Sequence, residues 1–347
     1  MTDRSTILVT GGAGFVGSHF ARLAHDSGRR VVVLDDLSGG TPAVLPAEIP
    51  LVVGDIGDEH HVRRICHEHG VGAVAHFAGK IQVGESVTDP ASYFDVNLVR
   101  SLGLLRAIRD EGITACLFSS TAAVYGNPDS VPIPESARKE PVNPYGATKL
   151  AIEYALEAWD RAYGLRWAAL RYFNAAGARP DGSLCENHEP ETHLIPLAID
   201  AAIGARPPLT IFGEDYDTPD GTCIRDYIHV QDLASAHLLA LALLERGESV
   251  GPLNLGTGRG FSVREVIDAV RRVLDRPVPC TVGPRRAGDP PRLVADPGRA
   301  FEVLRWSPQR AELVTIVEDA VRSRAQRVAA TVGAPRPAQE AAAPRHR

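Results

Sequence analysis

The chain has 347 residues, of which 44% are hydrophobic and 23% are charged, so it is long enough for about two globular domains. A net charge of −6 argues against a polyanion-binding surface, and we therefore expect no nucleic-acid partner. No run approaches the roughly 20 apolar residues of a membrane span, and the N-terminus lacks a basic-then-apolar signal segment. The five cysteines are scattered and never form a CxxC pair, which predicts reduced thiols, a cytoplasmic location and no metal cofactor.

In chain order, short apolar runs alternate with helical patterns over the first half of the sequence. This alternation predicts an α/β fold with a doubly wound parallel sheet, because strands buried on both faces have nearly continuous apolar runs. The predicted strands are Ile7–Thr10, Val31–Asp35, Leu51–Val53, Ala73–Phe77, Ala115–Ser119 and Trp167–Tyr172. The predicted helices between them include Val16–Ser27, Tyr93–Glu111 and Lys149–Tyr163.

The second half departs from this regular alternation. Residues 179–226 are rich in Pro, Gly, Asp and Glu, and they predict loops around one short helix near residues 194–205. A strand–helix pattern at 227–250 is expected to rejoin the first sheet. We therefore predict a first domain at 1–178 to which 227–250 returns, and a smaller mixed α/β domain at 179–330. The Pro/Ala/Arg-rich residues 331–347 are expected to be a disordered tail.

A glycine-rich loop, TGGAGFVG at residues 10–17, follows the first predicted strand and opens the first helix. Glycines in such a loop permit a tight turn and the close approach of a pyrophosphate to backbone N–H groups at the positive end of a helix. Asp35 and Asp36 end the second strand, where a carboxylate accepts hydrogen bonds from ribose hydroxyls and repels a 2′-phosphate. The pattern predicts a Rossmann-type domain that binds NAD rather than NADP, and these residues alone leave a flavin open.

Tyr145 and Lys149 stand four residues apart at the start of a predicted helix, which places both side chains on one face. With 8 tyrosines and 3 lysines in the chain, chance would produce only about 0.07 such pairs. An ammonium stabilises a tyrosinate, and the pair can therefore take a proton from a sugar hydroxyl as hydride leaves the same carbon. Thr121 closes the fifth strand, where its hydroxyl can share the substrate oxygen with Tyr145. The alternatives are a surface Tyr–Lys contact and a threonine that serves only as a strand former.

Nine segments together resemble the extended short-chain dehydrogenase/reductase family, the NAD-dependent epimerases and dehydratases. They are TGGAGFVGSH, VVLDDLSGG, GDI, HFAG, SSTAAVYG, NPYGATK, LRYFNAAGA, RDYIHV and NLGTG. Within that family the chain is most similar to the UDP-glucose 4-epimerases, from about Thr6 to Asp319. The resemblance implies a tightly held NAD and a reversible C4 epimerisation of UDP-glucose and UDP-galactose through a 4-keto sugar, with Tyr145 taking the C4 hydroxyl proton.

The resemblance also implies two sets of binding residues and a homodimer formed through Tyr93–Glu111 and Lys149–Tyr163. The implied NAD-binding residues are Gly11, Gly14, Phe15, Val16, Gly17, Asp35, Asp36, Asp55, Ile56, Phe77, Ala78, Gly79, Lys80, Asn97, Lys149 and Tyr172. The resemblance makes the smaller domain the one that binds the UDP-sugar. The implied UDP-sugar-binding residues are Thr121, Tyr145, Asn174, His193, Leu194, Phe212, Arg225, Arg286, Asp289 and Leu293. The two arginines suit charge-assisted hydrogen bonds with a diphosphate.

Ala122 and Ala123 favour an epimerase over its sister enzymes. A 4,6-dehydratase needs an Asp-Glu acid/base pair at these positions, and a UDP-glucuronate decarboxylase usually has Ser-Glu. Alanine transfers no proton, so oxidation and re-reduction at one carbon is the simplest remaining chemistry. Two alternatives stay open: 4-epimerisation of a UDP-linked N-acetylhexosamine, pentose or uronate, and a non-catalytic NAD-binding regulator.

Two positions depart from the family pattern. Lys80 stands one place earlier than the lysine of that pattern, and Thr192-His193-Leu194 replaces the usual Asn-Asn-Leu.

Overall fold

A computed structural model describes residues 5–186, 190–286 and 289–333. Its largest sheet has seven parallel strands in the order β10-β6-β5-β4-β1-β2-β3. These strands are β1 Thr6–Thr10, β2 Val31–Asp35, β3 Leu51–Val53, β4 Val71–His76, β5 Ala115–Thr121, β6 Arg166–Tyr172 and β10 Gly251–Leu255. Because β1 pairs with both β2 and β4, the strand order reverses there, and such a switch point opens a crevice at the carboxyl ends of the strands.

Helices cover both faces of this sheet and continue into the second half of the chain. They are α1 Phe15–Asp26, α2 Glu59–His69, α3 Val83–Thr88, α4 Pro90–Tyr93, α5 Arg100–Asp110, α6 Pro144–Tyr163, α7 Leu194–Ala202, α8 Val230–Glu245, α9 Val263–Leu274, α10 Gly298–Leu304 and α11 Leu313–Gly333. Alternate residues of β1 show the two-sided burial: Ile7 and Val9 face α1 and α8, whereas Leu8 faces α2, α5 and α6. Within the described ranges, no helix is long and apolar enough to cross a bilayer.

The doubly wound parallel sheet predicted from the sequence is confirmed, and all six predicted strands are present with ends shifted by at most two residues. The predicted helical stretch Tyr93–Glu111 is present, but it is not α-helical throughout. Helix α4 is followed by a π-helical stretch, Phe94–Val99, before α5 begins. The π-helical turns place Asn97 in a fully buried position, and such irregular turns are frequent at functional sites.

Shorter strands build two further sheets in the second half. They are β7 Asn174–Ala176, β8 Leu209–Phe212, β9 Ile224–His229, β11 Gly260–Ser262, β12 Cys280–Gly283 and β13 Arg292–Leu293. Strand β9 pairs with β7, β11 and β13, while β8 pairs with β12. A third core lies between α7, α9 and α11.

The expected return of residues 227–250 to the first sheet is correct for the helix and wrong for the strand. Helix α8 packs on β5 and β6, but β9 lies in the second sheet and β10 joins the first instead. Strand β9 carries Arg225 and Asp226, which bind Asp289, Thr257 and Ala295 in the segments next to β11 and β13, whereas β10 is mostly apolar. Of the predicted tail, residues 331–333 belong to α11, and residues 334–347 lie outside the described part.

Candidate active site

The glycine-rich loop lies at the switch point of the sheet, directly after β1. Gly11 has a φ of 70°, and a Cβ at this position would lie 2.5 Å from the backbone nitrogen of Ala78. A Cβ at Gly17 would collide with the carbonyl oxygen of Gly11. Gly14 caps α1, which begins with Phe15 and Val16. The loop therefore presents bare backbone at the positive end of a helix dipole, where a phosphate is favoured.

The two aspartates at the end of β2 have different partners. Asp35 is buried, and its carboxylate accepts hydrogen bonds from the backbone nitrogens of Ala13 and Leu37, both at 2.9 Å. Burial raises the pKa of Asp35. Asp36 is exposed and accepts hydrogen bonds from the backbone and hydroxyl of Ser38. Asp35 is thus fixed against the glycine-rich loop, while Asp36 stabilises its own turn.

Residues after β3 flank the same edge of the sheet. Asp55 accepts a hydrogen bond from the nitrogen of Gly57 at 2.8 Å and from the guanidinium of Arg100 at 2.7 Å. Ile56 is buried in the core beneath α2 and α5. These contacts hold the Asp55 carboxylate at the rim of the crevice, the position expected beside an adenine.

The segment Phe77-Ala78-Gly79-Lys80 continues from β4 along the crevice. The nitrogen of Phe77 donates a hydrogen bond to the carbonyl of Thr10 at 2.9 Å, which joins this segment to the glycine-rich loop. Asn97 accepts a hydrogen bond from the nitrogen of Lys80 at 2.8 Å and donates one to its carbonyl at 3.0 Å. The ammonium of Lys80 lies 3.0 Å from Glu85, so a contact between Lys80 and cofactor phosphates stays a prediction.

A buried hydrogen-bond chain behind this segment was not predicted from the sequence. His76 Nδ1 lies 2.7 Å from the hydroxyl of Thr10, and its Nε2 lies 2.8 Å from the hydroxyl of Ser101. Ser101 in turn donates a hydrogen bond to the carbonyl of Asn97 at 2.5 Å. Burial lowers the pKa of His76 to about 3, so the ring is neutral and joins β1 and β4 to the π-helical turns. A lone histidine at a strand end gives no sequence signal for this role.

Helix α6 places the predicted catalytic residues against the end of β5. Its N-cap is Asn143, whose side chain accepts a hydrogen bond from the nitrogen of Gly146 at 2.8 Å. Tyr145 and Lys149 are 8% and 3% exposed. The side chain of Thr121 lies close enough to the phenol of Tyr145 to oppose the rise in its pKa that burial causes. The structure therefore brings the three residues predicted for catalysis together.

These groups are buried between α6 and the end of β5. Lys149 Nζ donates a hydrogen bond to the carbonyl of Ser119 at 3.0 Å and lies 4.8 Å from the ring centroid of Phe118. Burial lowers the pKa of Lys149 to about 8. Burial and the neighbouring phenol of Tyr172 raise the pKa of Tyr145. The hydroxyl of Tyr172 lies 2.7 Å from that of Ser119, and burial raises the pKa of Tyr172 as well. A tyrosinate here would require a stabilising positive charge, and the ammonium of Lys149, one helical turn along α6, is the candidate for it.

The second sheet forms a wall beside this site. Arg225 on β9 forms an ion pair with Asp289 and donates a hydrogen bond to the carbonyl of Pro290 at 2.9 Å. Asn174 begins β7, which also pairs with β9. Leu293 on β13 is in register with Arg225 and packs against the cluster of Ala122 and Leu150. Leu293 therefore connects the strand of Arg225 with the end of β5.

An aromatic ring and two arginines occupy the neighbouring rim. The guanidinium of Arg286 lies 4.1 Å from the ring centroid of Phe212, which is 37% exposed at the end of β8. Arg285 stacks in the same way on Tyr216 at 4.4 Å. An exposed aromatic face with arginines beside it suits a stacked base and its diphosphate.

His193 lies at the start of α7 and contacts two carboxylates. Its Nδ1 is 2.7 Å from Glu186 and 3.0 Å from Glu191. Burial alone would lower the pKa of His193, but the hydrogen bonds to the two glutamates raise it to about 10. Although the three ligand atoms lie within 4.8 Å of one another, the protonated imidazole itself supplies the positive charge between the carboxylates. Leu194 packs partly against the third core, and a role of these two residues in sugar binding stays a prediction.

Comparison with known proteins gives consistent results. Residues 7–256 match the model of the NAD dependent epimerase/dehydratase family. The chain is 51% identical over 325 residues to the UDP-glucose 4-epimerase of Azospirillum brasilense, covering 92% of this chain and 93% of that protein. It is similar to the crystal structure of UDP-glucose 4-epimerase from Brucella ovis in complex with NAD, with a TM-score of 0.88, 48% identity and coverage of 91% and 97%. It is also similar to the enzyme from Stenotrophomonas maltophila with bound NAD and formylated UDP-arabinopyranose, with a TM-score of 0.90, 39% identity and coverage of 94% and 100%.

Proposed function

The chain belongs to the NAD dependent epimerase/dehydratase family, and from that premise we propose that it interconverts UDP-glucose and UDP-galactose by NAD-dependent epimerisation at C4. One observation carries the proposal. The buried phenol of Tyr145 contacts Thr121 at the end of β5, with Lys149 one helical turn away. Since alanines occupy positions 122 and 123, the site has a proton acceptor for one sugar hydroxyl and none of the acid/base pair that elimination needs.

The residues at the switch point fit NAD. Gly11 and Gly17 allow the loop to pack directly against the backbone of Ala78 and against its own first turn, because a Cβ at either position would collide there. This tight turn sets the start of α1, where a pyrophosphate can approach the backbone N–H groups. The carboxylate of Asp35 faces this loop, where it can accept hydrogen bonds from the ribose hydroxyls and repel a 2′-phosphate. Bound NAD supplies the hydride acceptor and donor for C4, so that the sugar passes through a 4-keto form.

The side chains of this chain move and hold the proton. Tyr145 accepts the proton of the C4 hydroxyl through its phenolic oxygen and later returns it. Thr121, beside Tyr145, orients the same sugar hydroxyl. Lys149, whose ammonium is held by the carbonyl of Ser119, lowers the free-energy cost of the tyrosinate.

The uridine diphosphate is assigned to the second sheet and its neighbours. Arg225 and Arg286 provide the charge for the diphosphate, and Phe212 provides a face for the uracil ring. Arg225 is in register with Leu293, which packs against the cluster that contains Ala122. The paired strands β9 and β13 therefore connect the proposed diphosphate site with the proposed sugar site. Asn174, on the other neighbour of β9, lies within the same wall.

We further infer a homodimer in a reducing compartment such as the cytoplasm. The surfaces that α5, α6 and the preceding π-helical turns expose carry the apolar side chains Phe94, Val99, Tyr154 and Tyr163, each at least 42% exposed. Apolar surfaces of this kind mark contact sites between proteins. Sedimentation equilibrium should show a dimer that Tyr154→Asp weakens, whereas Val53→Asp on the edge strand β3 should not. A monomeric wild type would contradict the inference.

The experiment that tests the proposed function uses purified protein without added nucleotide. Incubation with UDP-glucose should produce UDP-galactose, and denaturation should release NAD(H) rather than NADP(H). A parallel panel of UDP-linked N-acetylhexosamines, pentoses and uronates distinguishes the alternative substrates. Absence of any epimerised sugar, or release of NADP(H) as the main nucleotide, would overturn the proposal.

A further inference from the structure

An ion pair lies fully buried beneath the candidate site. Arg171 on β6 is 1% exposed and Glu153 on α6 is 3% exposed. The carboxylate accepts hydrogen bonds from Arg171 Nε at 2.9 Å and from Nη2 at 2.5 Å, in a bidentate arrangement. Because desolvation cancels most of the attraction, a buried ion pair stabilises a fold little more than apolar side chains of similar volume. The pair therefore calls for a role other than stability.

The position of Glu153 links it to the catalytic groups. Glu153 stands one turn after Lys149 and two turns after Tyr145 on the same face of α6. Its Oε1 also accepts a hydrogen bond from the hydroxyl of Ser120 at 2.6 Å. Ser120 lies between Ser119, the hydrogen-bond partner of Lys149, and Thr121, which lies beside Tyr145. Ser119 and Ser120 thus bind two successive turns of α6, and Thr121 adjoins the turn before them.

The arginine extends these contacts beyond the helix. Arg171 Nη1 donates a hydrogen bond to the hydroxyl of Tyr125 at 2.9 Å, and that hydroxyl donates to Asn254 at 2.6 Å. Asn254 on β10 in turn donates to the carbonyl of Ile133 at 2.8 Å. Tyr125 ends the short turn that begins directly after Thr121. The network therefore holds both the helix and the turn that surround the end of β5.

We propose that Arg171 and Glu153 are positioning residues that fix the register of α6 along the end of β5. The pair makes the contacts of Tyr145 with Thr121 and of Lys149 with Ser119 form together. This inference rests on the proposed epimerase function. A displacement of about 1 Å in a catalytic group is enough to lower a rate about 100-fold. We therefore expect loss of the pair to lower kcat about 10- to 100-fold with little change in KM.

The decisive variant is Glu153→Leu/Arg171→Met, which replaces both charges by apolar side chains. The two single variants leave one buried charge without its partner and are expected to be unstable, whereas the double variant should unfold in urea at or above the wild-type midpoint. If the pair is a positioning device, the double variant recovers stability and bound NAD(H) but not kcat. Recovery of kcat together with stability would show a purely structural role and overturn the proposal.

A second variant keeps the ion pair and removes only its contact with β5. Ser120→Ala removes one buried hydrogen bond, so it should lower the urea midpoint only modestly, which leaves the protein folded, and should lower kcat several-fold. Unchanged turnover would also overturn the proposal. The matched control is Glu245→Gln, which removes a surface ion pair with Arg29 and should change nothing. Wild-type protein in the same assay distinguishes failure of the positioning role from failure of the proposed epimerase function, because a wild type that is inactive on UDP-glucose would refute the function itself.

Discussion

Replacing Lys149 by methionine should inactivate the protein and stabilise it at neutral pH. Lys149 is 3% exposed, and burial lowers its pKa from 10.5 to about 8. At 1.36 kcal/mol per pKa unit, this shift means that burying the ammonium costs about 3 kcal/mol. Loss of the hydrogen bond to the carbonyl of Ser119 offsets about 1 kcal/mol. The free energy of unfolding of Lys149→Met should therefore exceed that of wild type by about 2 kcal/mol.

The stabilisation should depend on pH with a definite sign. Between pH 8 and about 10.5 the unfolded chain retains a proton on Lys149 that the folded protein has released. The unfolded state then binds more protons, so the free energy of unfolding of wild type rises with pH across this window. Methionine has no such rise. The advantage of the variant should be complete below pH 8 and should become a deficit of about 1 kcal/mol above pH 10.5.

Urea denaturation of nucleotide-free protein at pH 7, 9 and 10.5 measures both effects. Removal of the nucleotide matters because a bound ligand would stabilise wild type and the variant unequally. Lys139→Met, on the exposed loop before α6, makes the same substitution at a surface lysine and provides the control. A constant difference between Lys149→Met and wild type across this range would refute the account of the buried ammonium, and so would a neutral-pH destabilisation.

Three further substitutions test individual groups. Tyr145→Phe should lower turnover of UDP-glucose about 10²- to 10⁴-fold with unchanged thermal unfolding, and near-normal turnover would mean that another group is the base. Gly17→Ala should abolish co-purification of NAD(H), measured by absorbance after denaturation, whereas Gly39→Ala, which has open space around it, should retain the nucleotide. Leu293→Ser should make room in the sugar site and raise kcat/KM for UDP-N-acetylglucosamine relative to UDP-glucose by up to about 10- to 200-fold, and an unchanged ratio would contradict a steric role of Leu293.

Features set by local pattern were predictable from the sequence. The six parallel strands follow from apolar runs, and the turn after β1 follows from glycine spacing, because both depend on residues close together in the chain. The meeting of Tyr145 with Thr121 was also predictable, since the helix start and the end of β5 share one edge of the sheet.

Contacts between distant residues were not predictable in this way. The sequence treats Asp35 and Asp36 alike, and only the folded chain shows that one faces the glycine-rich loop and the other its own turn. His76 forms a hydrogen bond with Thr10, which is 66 positions away in the sequence, and no local sequence pattern predicts such a bond. The sequence also placed β9 in the first sheet, where the structure has β10. This error has a similar origin, because the charged side chains of β9 bind residues more than 60 positions further along the chain.

Two buried cations near the end of β5 differ in their partners. Burial alone would lower the pKa of Arg171, but its bidentate pairing with Glu153 raises the pKa instead, so this charge is permanent and is balanced by a carboxylate. The ammonium of Lys149 donates to a neutral carbonyl, and burial lowers its pKa to about 8. A carboxylate beside Lys149 would stabilise the ammonium and cancel its field at Tyr145. Because its hydrogen-bond partner is a neutral carbonyl, the positive charge of Lys149 stays available to the phenol of Tyr145. The buried charge lowers the stability of the fold, and a methionine in its place would restore that stability.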